Sequence, residues 1–210
     1  TKILIAIMMI ISIKQYSQVT LGLATSYSVP LSQPVSRMYG SNEGYITYQL
    51  GYVTQNKSFD YGVAFKADFR KLVLLGELLY NTSKSQFLLN DYANNEGQTM
   101  FITETTNNIK VPIAGIVNFN MFHIGVGPIF TYNLESDDMV KQYSDFKDKN
   151  IKIKPSFQFL VGTSWKQHLM LNLKYEYALT KIGDDYSYNY SRSKLDRSVN
   201  YFSISLNIFP

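Results

Sequence analysis

The segment YGVAFKADFRKLVLLGELLY, residues 61 to 80, decides the fold class, because large apolar side chains alternate with small or charged ones along it. In its first half the large side chains stand at the odd-numbered positions. After Arg70 and Lys71 a second apolar run begins, with Glu77 in its middle. In a β-strand, successive side chains point to opposite faces, so a pattern that repeats every two residues gives each face its own character. The segment therefore predicts two strands, each with one apolar face and one face that carries charges.

The same alternation continues through most of the chain. Clear strands are predicted at residues 59–69, 72–84, 109–119, 122–133, 155–165, 168–180 and 198–209. Strands of this length suit a tilted crossing of a membrane, and closed barrels of this kind have an even number of strands. We therefore expect an all-β, antiparallel transmembrane β-barrel with eight strands. Residues 19–29 are favoured as the first strand, with 45–54 as additional β-structure in a long first loop, and a ten-stranded barrel is the alternative.

The connections between these strands alternate in length. Short turns are predicted at residues 70–71, 120–121 and 166–167, and long polar loops at 85–108, 134–152 and 181–197. Short periplasmic turns and long extracellular loops are typical of outer-membrane barrels. The alternation at 72–90 and 99–119 extends further than a membrane requires, so these two strands are expected to protrude as a β-ribbon.

Alternation alone does not say which face points inward, and a soluble barrel with an apolar interior is the competing interpretation. The polar face consists mainly of Gly, Ala, Ser and Asn, which fit a narrow lumen better than a water-covered exterior. The apolar face carries aromatic residues at both ends, as in the girdles at membrane interfaces. The predicted girdle comprises Phe69, Phe119, Phe122 and Trp165 near the turns, and Tyr61, Tyr80, Phe130, Phe157 and Tyr177 near the loops.

This orientation directs a set of polar and charged side chains into the lumen. The predicted lumen cluster comprises Lys66, Asp68, Glu77, Gln158, Lys174 and Glu176. If Arg70 and Lys71 form a two-residue turn, Glu77 lies opposite Ala64 and diagonal to Lys66, within reach of long side chains. A buried charge needs a partner. The cluster therefore predicts a polar plug that fixes the barrel interior, with a gated path or proton relay as the functional alternative.

The composition agrees with a secreted all-β chain. The 210 residues include 17 Tyr, 13 Phe, 12 Gly and no Cys, and the net charge of +4 is too small to argue for nucleic acid. Residues 1–18 combine a basic start, a short apolar run and a polar exit, which is typical of a secretory signal peptide. The predicted organisation is thus a signal peptide at 1–18 and a barrel domain at 19–210.

Three segments resemble the small outer-membrane β-barrel domain family of Gram-negative bacteria, which includes PorT-like and OmpX/OmpA-like members. They read NIKVPIAGIVNFNMFHIGVGPIFTYNL, FQFLVGTSWKQHLMLNLKYEYALTKI and VNYFSISLNIF, starting at residues 108, 157 and 199. The resemblance covers about residues 59–209 and implies a fold more than a role. The family usually ends on an aromatic residue in its last strand, whereas here Pro210 follows Phe209. Phe209 also falls on the polar face, which predicts a bulge or a different phase near the end.

The sequence offers little for catalysis or metal binding. Its two histidines, His123 and His168, are both expected at the periplasmic rim without an acidic cluster, so no catalytic, cofactor or metal site is predicted. In the last long loop, Tyr186, Tyr188 and Tyr190 stand at every second position and are candidate contact residues.

The favoured function is a non-enzymatic outer-membrane barrel that acts in surface contact or envelope support through its protruding loops. Alternatives are a subunit of a larger secretion-type complex, as the PorT-like resemblance implies, a small-solute pore, and an envelope lipid-modifying enzyme. The expected partners are outer-membrane lipid and other outer-membrane or surface proteins, with no nucleic acid.

Overall fold

A computed structural model describes residues 18–31, 37–42, 45–69, 72–91, 98–136, 147–148, 153–166, 168–179, 183–188, 191–196 and 199–210. Among these residues no helix is long and apolar enough to span a membrane. The predicted signal peptide lies outside the described residues, apart from Gln18. Every element of the described chain is a β-strand.

Eight antiparallel strands form a closed ring, which confirms the predicted fold class. They are β1 (Gln18–Pro30), β4 (Ser58–Phe69), β5 (Leu72–Asp91), β6 (Gln98–Phe119), β7 (Phe122–Ser136), β9 (Ile153–Trp165), β10 (Leu169–Ala178) and β13 (Tyr201–Ile208). Neighbours in this series are hydrogen-bonded, and β13 pairs with β1 to close the ring. Each of these eight strands is therefore paired with a neighbour on both sides in the ring.

The remaining strands lie on the loop side of the ring. The hairpin of β2 (Arg37–Asn42) and β3 (Tyr45–Gln55) pairs through β3 with the end of β5, from Ser85 to Asp91. A second sheet contains β8 (Lys147–Asp148), β11 (Gly183–Tyr188) and β12 (Ser191–Asp196). The loop end therefore carries its own β-structure.

The structure resolves the predicted alternatives for the first strand. Residues 19–29 lie within β1, a strand of the ring, and residues 45–54 lie within β3, outside it, so the ten-stranded barrel is wrong. The ribbon predicted from the long alternation at 72–90 and 99–119 is confirmed by β5 and β6. Much of the segments 85–108 and 181–197, predicted as loops, is strand instead.

The apolar face of each strand is the outer face. Phe65, Leu171 and Ile204 are 39, 42 and 48% exposed, whereas Lys66 and Glu176 are 5 and 8% exposed. A soluble barrel would show the reverse, because its apolar face fills the interior. The soluble alternative is therefore wrong, and the exposed apolar side chains form a belt that suits hydrocarbon tails.

The prediction of a bulge or a phase change near Phe209 is also wrong. The pairing of β13 with both neighbours runs to Ile208 without a shift of register. The Phe209 amide then donates to the carbonyl oxygen of His168, and the Phe209 ring is buried. The aromatic side chain simply continues the inward face, where it fills space in the lumen.

Candidate functional site in the barrel lumen

The turn end of the lumen is filled by apolar side chains. This plug is a buried cluster contributed by most strands of the ring. Its larger members are Val73, Leu75, Leu79, Ile116, Leu160, Met170 and Phe209. A water channel would leave its lining exposed, yet Ile116 is 0% exposed. The plug side chains therefore pack against one another rather than line an open channel.

At the edge of the plug, Lys66 forms a local pair. Its Nζ lies 3.2 Å from Oδ2 of Asp68 and 5.1 Å from the centre of the Phe209 ring. The geometry allows both an ion pair and a cation–π contact. The predicted register is confirmed, since Glu77 lies opposite Ala64 and diagonal to Lys66. Glu77 also has an ion-pair partner on another strand.

That partner is Lys174, across the lumen on β10. Nζ of Lys174 lies 2.6 Å from Oε2 of Glu77, and Nδ2 of Asn207 donates to Oε1 of Glu77 at 2.7 Å. Glu77 is 1% exposed, so the carboxylate depends on these two donors in place of water. The contact ties three strands together at the middle of the barrel.

A histidine network joins this ion pair to the turn end. The ring of His123 contacts Oδ1 of Asn172 through Nε2 at 2.6 Å and Oγ of Ser164 through Nδ1 at 3.0 Å. The Asn172 amide nitrogen donates to Asn207 and Ser205 at 3.3 Å, so Oδ1 is the acceptor and Nε2 carries the proton.

This network is poorly suited to a proton relay. A relay passes a proton through an atom that can both receive and release it, as a hydroxyl or imidazole nitrogen can. Asn172 and Asn207 stand between His123 and Glu77, and an amide receives at oxygen but donates from nitrogen. The structure therefore favours a positioning role for these amides.

A second ion cluster lies toward the loop end. Nζ of Lys110 lies 3.5 Å from Asp60, 3.8 Å from Glu176 and 5.2 Å from the centre of the Tyr201 ring. Ser156 donates to Glu176 at 2.7 Å. Lys174 and Glu176, which share a face two residues apart, thus pair with different partners rather than with each other.

An amide chain completes this cluster. Asn81 donates to Asp60, and Asn108 donates to Oδ1 of Asn81 at 3.2 Å. A carboxylate only accepts, so Asp60 fixes the orientation of both amides in turn.

Two cavities flank the Lys110 cluster. The larger, of about 120 Å³, opens toward the loops and is lined mainly by hydroxyl and amide side chains, among them Ser83, Thr106 and Asn133. The smaller, of about 20 Å³, lies between Lys110 and Lys174, beside Gln158. Because Lys110 and Glu176 line both cavities, their ion pair stands at the boundary between the two.

Replacing Asn172 with leucine tests the positioning role. The change removes the amide that His123 Nε2, Ser205 and Asn207 contact, and it leaves buried polar groups without partners. We expect a loss of about 1–3 kcal/mol in the free energy of unfolding. Urea titration of the barrel in lipid vesicles measures it, and serine at the same position restores part of the stability if hydrogen bonding is the cause.

All six residues of the predicted lumen cluster face inward, and Asp68 is the most exposed of them. Sequence reasoning missed Asp60, Lys110, His123, Asn172 and Asn207 as members of the same networks. Each stands on the polar face of its strand, so the period of two, together with the predicted inward direction of that face, was a sufficient signal to place them inside. It was not sufficient to pair them, because their partners lie across the lumen.

Most of the predicted girdle residues are exposed on the outer face. Phe69, Tyr80 and Phe157 are half-buried, and Tyr61 packs against Tyr80 with ring centres 5.6 Å apart. Tyr186 and Tyr188 lie in β11, whereas Tyr190 lies outside the described residues.

No cluster of three or more metal-ligating side chains occurs in the part of the chain that the structure describes. Neither a protein-family model nor a curated protein sequence matches the chain. The chain is similar in structure to the outer-membrane protein AlkL, determined by solid-state NMR in lipid bilayers. The TM-score is 0.52 at 12% identity, over 93% of this chain and 92% of AlkL.

The chain has the fold of a bacterial outer-membrane β-barrel.

Two further likenesses are weaker. The outer-membrane protein OprG from Pseudomonas aeruginosa matches at a TM-score of 0.48 and 11% identity, over 91% of this chain and 92% of OprG. The outer-membrane protease OmpT from Escherichia coli matches at 0.38 and 10% identity, over 92 and 95%. The similarity to AlkL therefore supports the fold, and the exposed apolar belt is consistent with the same fold. The protein is an outer-membrane β-barrel.

Proposed function

We propose that this barrel is a non-enzymatic, non-conducting anchor that presents a β-structured surface for contact with other surface proteins. The observation that carries the proposal is the extension of β5 and β6 beyond the ring, above a lumen whose turn end is filled. β5 has 20 residues and β6 has 22, whereas a membrane-spanning strand needs about 9–11. The excess of roughly ten residues corresponds to about 33 Å along the strand.

The extension is a folded element. β3 pairs with β5 from Ser85 to Asp91, and β5 pairs with β6 as far as Gln98. On the inner face of the ribbon Phe87 is fully buried and Ile102 is buried. Rigid elements hold a contact surface at a lower entropic cost than mobile loops do.

The outer face of the ribbon offers an apolar anchor. Phe101 is 65% exposed, in a strand segment that pairs with β5 on one side. On the other side of β6, the neighbouring strand is β7. In the described part of the chain, β7 pairs with β6 only from Thr106 onward. An exposed aromatic side chain in a strand segment without a second neighbour among the described strands suits the addition of a partner strand.

The alternatives receive less support. Both histidines of the chain lie at the turn end, and His123 is buried, so neither serves a reaction at the cell surface. A small-solute pore conflicts with the filled plug. Membership of a larger secretion-type complex, which a PorT-like relationship would imply, is compatible with the same ribbon surface and is the second candidate. No nucleic-acid partner is proposed.

Electrical recording tests the non-conducting state. Because the plug side chains are buried and both ion clusters are paired, we expect no stepwise conductance when the purified barrel is inserted into planar bilayers. Replacing Leu160, Ile116 and Met170 together with alanine should create steps if the plug is the seal. Steps of uniform size from the unmodified protein would refute the proposal.

Site-specific photo-crosslinking in living cells tests the contact surface. A benzoylphenylalanine at position 101 should give a discrete protein adduct. The same residue at position 119, whose phenylalanine is comparably exposed at the opposite rim, is the matched control. Adducts of equal yield and mass at both positions, or at neither, would count against a contact role for the ribbon.

A further inference from the structure

Two neighbouring strands show a similar order of side-chain types on their outer face, from aliphatic through aromatic to basic. Toward the loop end, β4 presents Val63, Tyr61 and Phe59, and the exposed Lys57 follows. Outward-facing positions of β5 begin with Leu78 and Tyr80, continue with Thr82, and reach the exposed Lys84. Each strand thus passes from aliphatic through aromatic to basic residues. This is the order of hydrocarbon, interface and headgroup along a membrane normal.

The two lysines are brought together by the backbone. Lys57 lies at the junction of β3 and β4, where the amide of Asn56 donates to the carbonyl oxygen of Lys84 at 2.8 Å. Neither lysine forms an ion pair with another described residue. Like charges on adjacent strands repel each other, and an anion between them would offset that repulsion.

The height of the pair fits a lipid phosphate. Each lysine lies four residues beyond the tyrosine of its strand, which corresponds to about 13 Å along the strand and about 10 Å along the normal of a strand tilted by roughly 40°. The aromatic girdle marks the interface, and lysine side chains extend several ångströms to reach a polar layer. Both ammonium groups can therefore meet phosphates of the adjacent leaflet.

We propose that Lys57 and Lys84 form a binding site for the phosphate headgroup of an anionic membrane lipid, with Phe59, Tyr61 and Tyr80 packing against its upper acyl chain. The rings of Phe59 and Tyr61 lie 6.5 Å apart and those of Tyr61 and Tyr80 lie 5.6 Å apart, which forms a continuous aromatic surface beneath the charges. The site would make β4 and β5 the lipid-binding side of the barrel.

Native mass spectrometry of the full chain, folded in zwitterionic detergent, tests the site. The probes are phosphatidylglycerol and phosphatidylcholine. Both lipids carry a phosphate, but phosphatidylglycerol has a net negative charge and phosphatidylcholine has no net charge. A lysine near an anionic surface contributes about fivefold in affinity, so two give about 25-fold. We expect one phosphatidylglycerol bound with about that preference. The double variant K57Q/K84Q should bind both lipids equally.

Two matched variants separate charge from fold. K57R/K84R should retain the preference because it retains both charges. Lys166 is exposed at the opposite rim in a left-handed conformation (φ 48°), which asparagine tolerates, so K166N is a folded control that should also retain it. Heat-modifiability on a gel shows that each variant is folded.

Three results would overturn the proposal. One is an unchanged lipid preference in K57Q/K84Q. Another is an equal loss of preference in K166N. The last is displacement of phosphatidylglycerol by millimolar inorganic phosphate, which would assign the lysines to a free anion rather than to a lipid.

Discussion

Replacing Glu77 with alanine is expected to lower the free energy of unfolding by about 3–5 kcal/mol. The substitution leaves the ammonium group of Lys174 and the amide of Asn207 without the carboxylate they contact at 2.6 and 2.7 Å. Lys174 is buried, so water cannot replace that partner cheaply. The free energy of unfolding is measured by urea titration of the barrel in vesicles, with the folded fraction read from heat-modifiability on a gel.

The double variant E77M/K174M is the control for this prediction. Replacing both charges with apolar side chains of similar volume removes the pair without leaving a buried charge, and such exchanges are often neutral or stabilising. The double variant still leaves the Asn207 amide without its acceptor, so we expect it to lose about 1–3 kcal/mol, less than E77A loses. If E77A and the double variant lose the same stability, packing rather than charge pairing holds the centre of the lumen.

Placing arginine at Leu173 is expected to cost about 2–4 kcal/mol, the value for a cation at the bilayer midplane on the lipid face of a barrel. Leu173 is exposed and pairs with Val161 and Ile204, which belong to the same apolar belt. Its neighbour Lys174 is a natural charge that is tolerated because it faces inward to Glu77. One position along the strand thus separates a tolerated cation from a destabilising one.

Alanine at Leu173 serves as the comparison, since it shortens the side chain without adding charge. Refolding yield in vesicles and urea midpoints should place L173A much nearer the original barrel than L173R. The opposite outcome is an L173R barrel that becomes soluble in water and, without detergent, still migrates on a gel as the folded form does. That result would show that the apolar belt does not face lipid.

The candidate site shows which structural features the residue pattern can predict and which it cannot. The period of two placed Lys66, Glu77 and Glu176 on the polar faces of their strands, because side-chain direction in a strand alternates with position along it. The composition of those faces then placed them inside the ring. The same rule applied to Asp60 and Lys110 would have placed them there too. The rule does not reveal that Glu77 meets Lys174, since these residues are 97 positions apart and only ring closure brings their strands face to face.

Alternation along the chain was enough to predict the strands and the ribbon, because it is a local property. The outward direction of the apolar face needed two further sequence features, the small residues of the polar face and the aromatic residues at both ends of the apolar face. The closed barrel was needed to show that 19–29 belongs to the ring while 45–54 does not, that Phe209 fills the plug, and which charges pair. Those outcomes depend on which strands become neighbours and on the width of the lumen. Both are properties of the closed barrel rather than of any one segment.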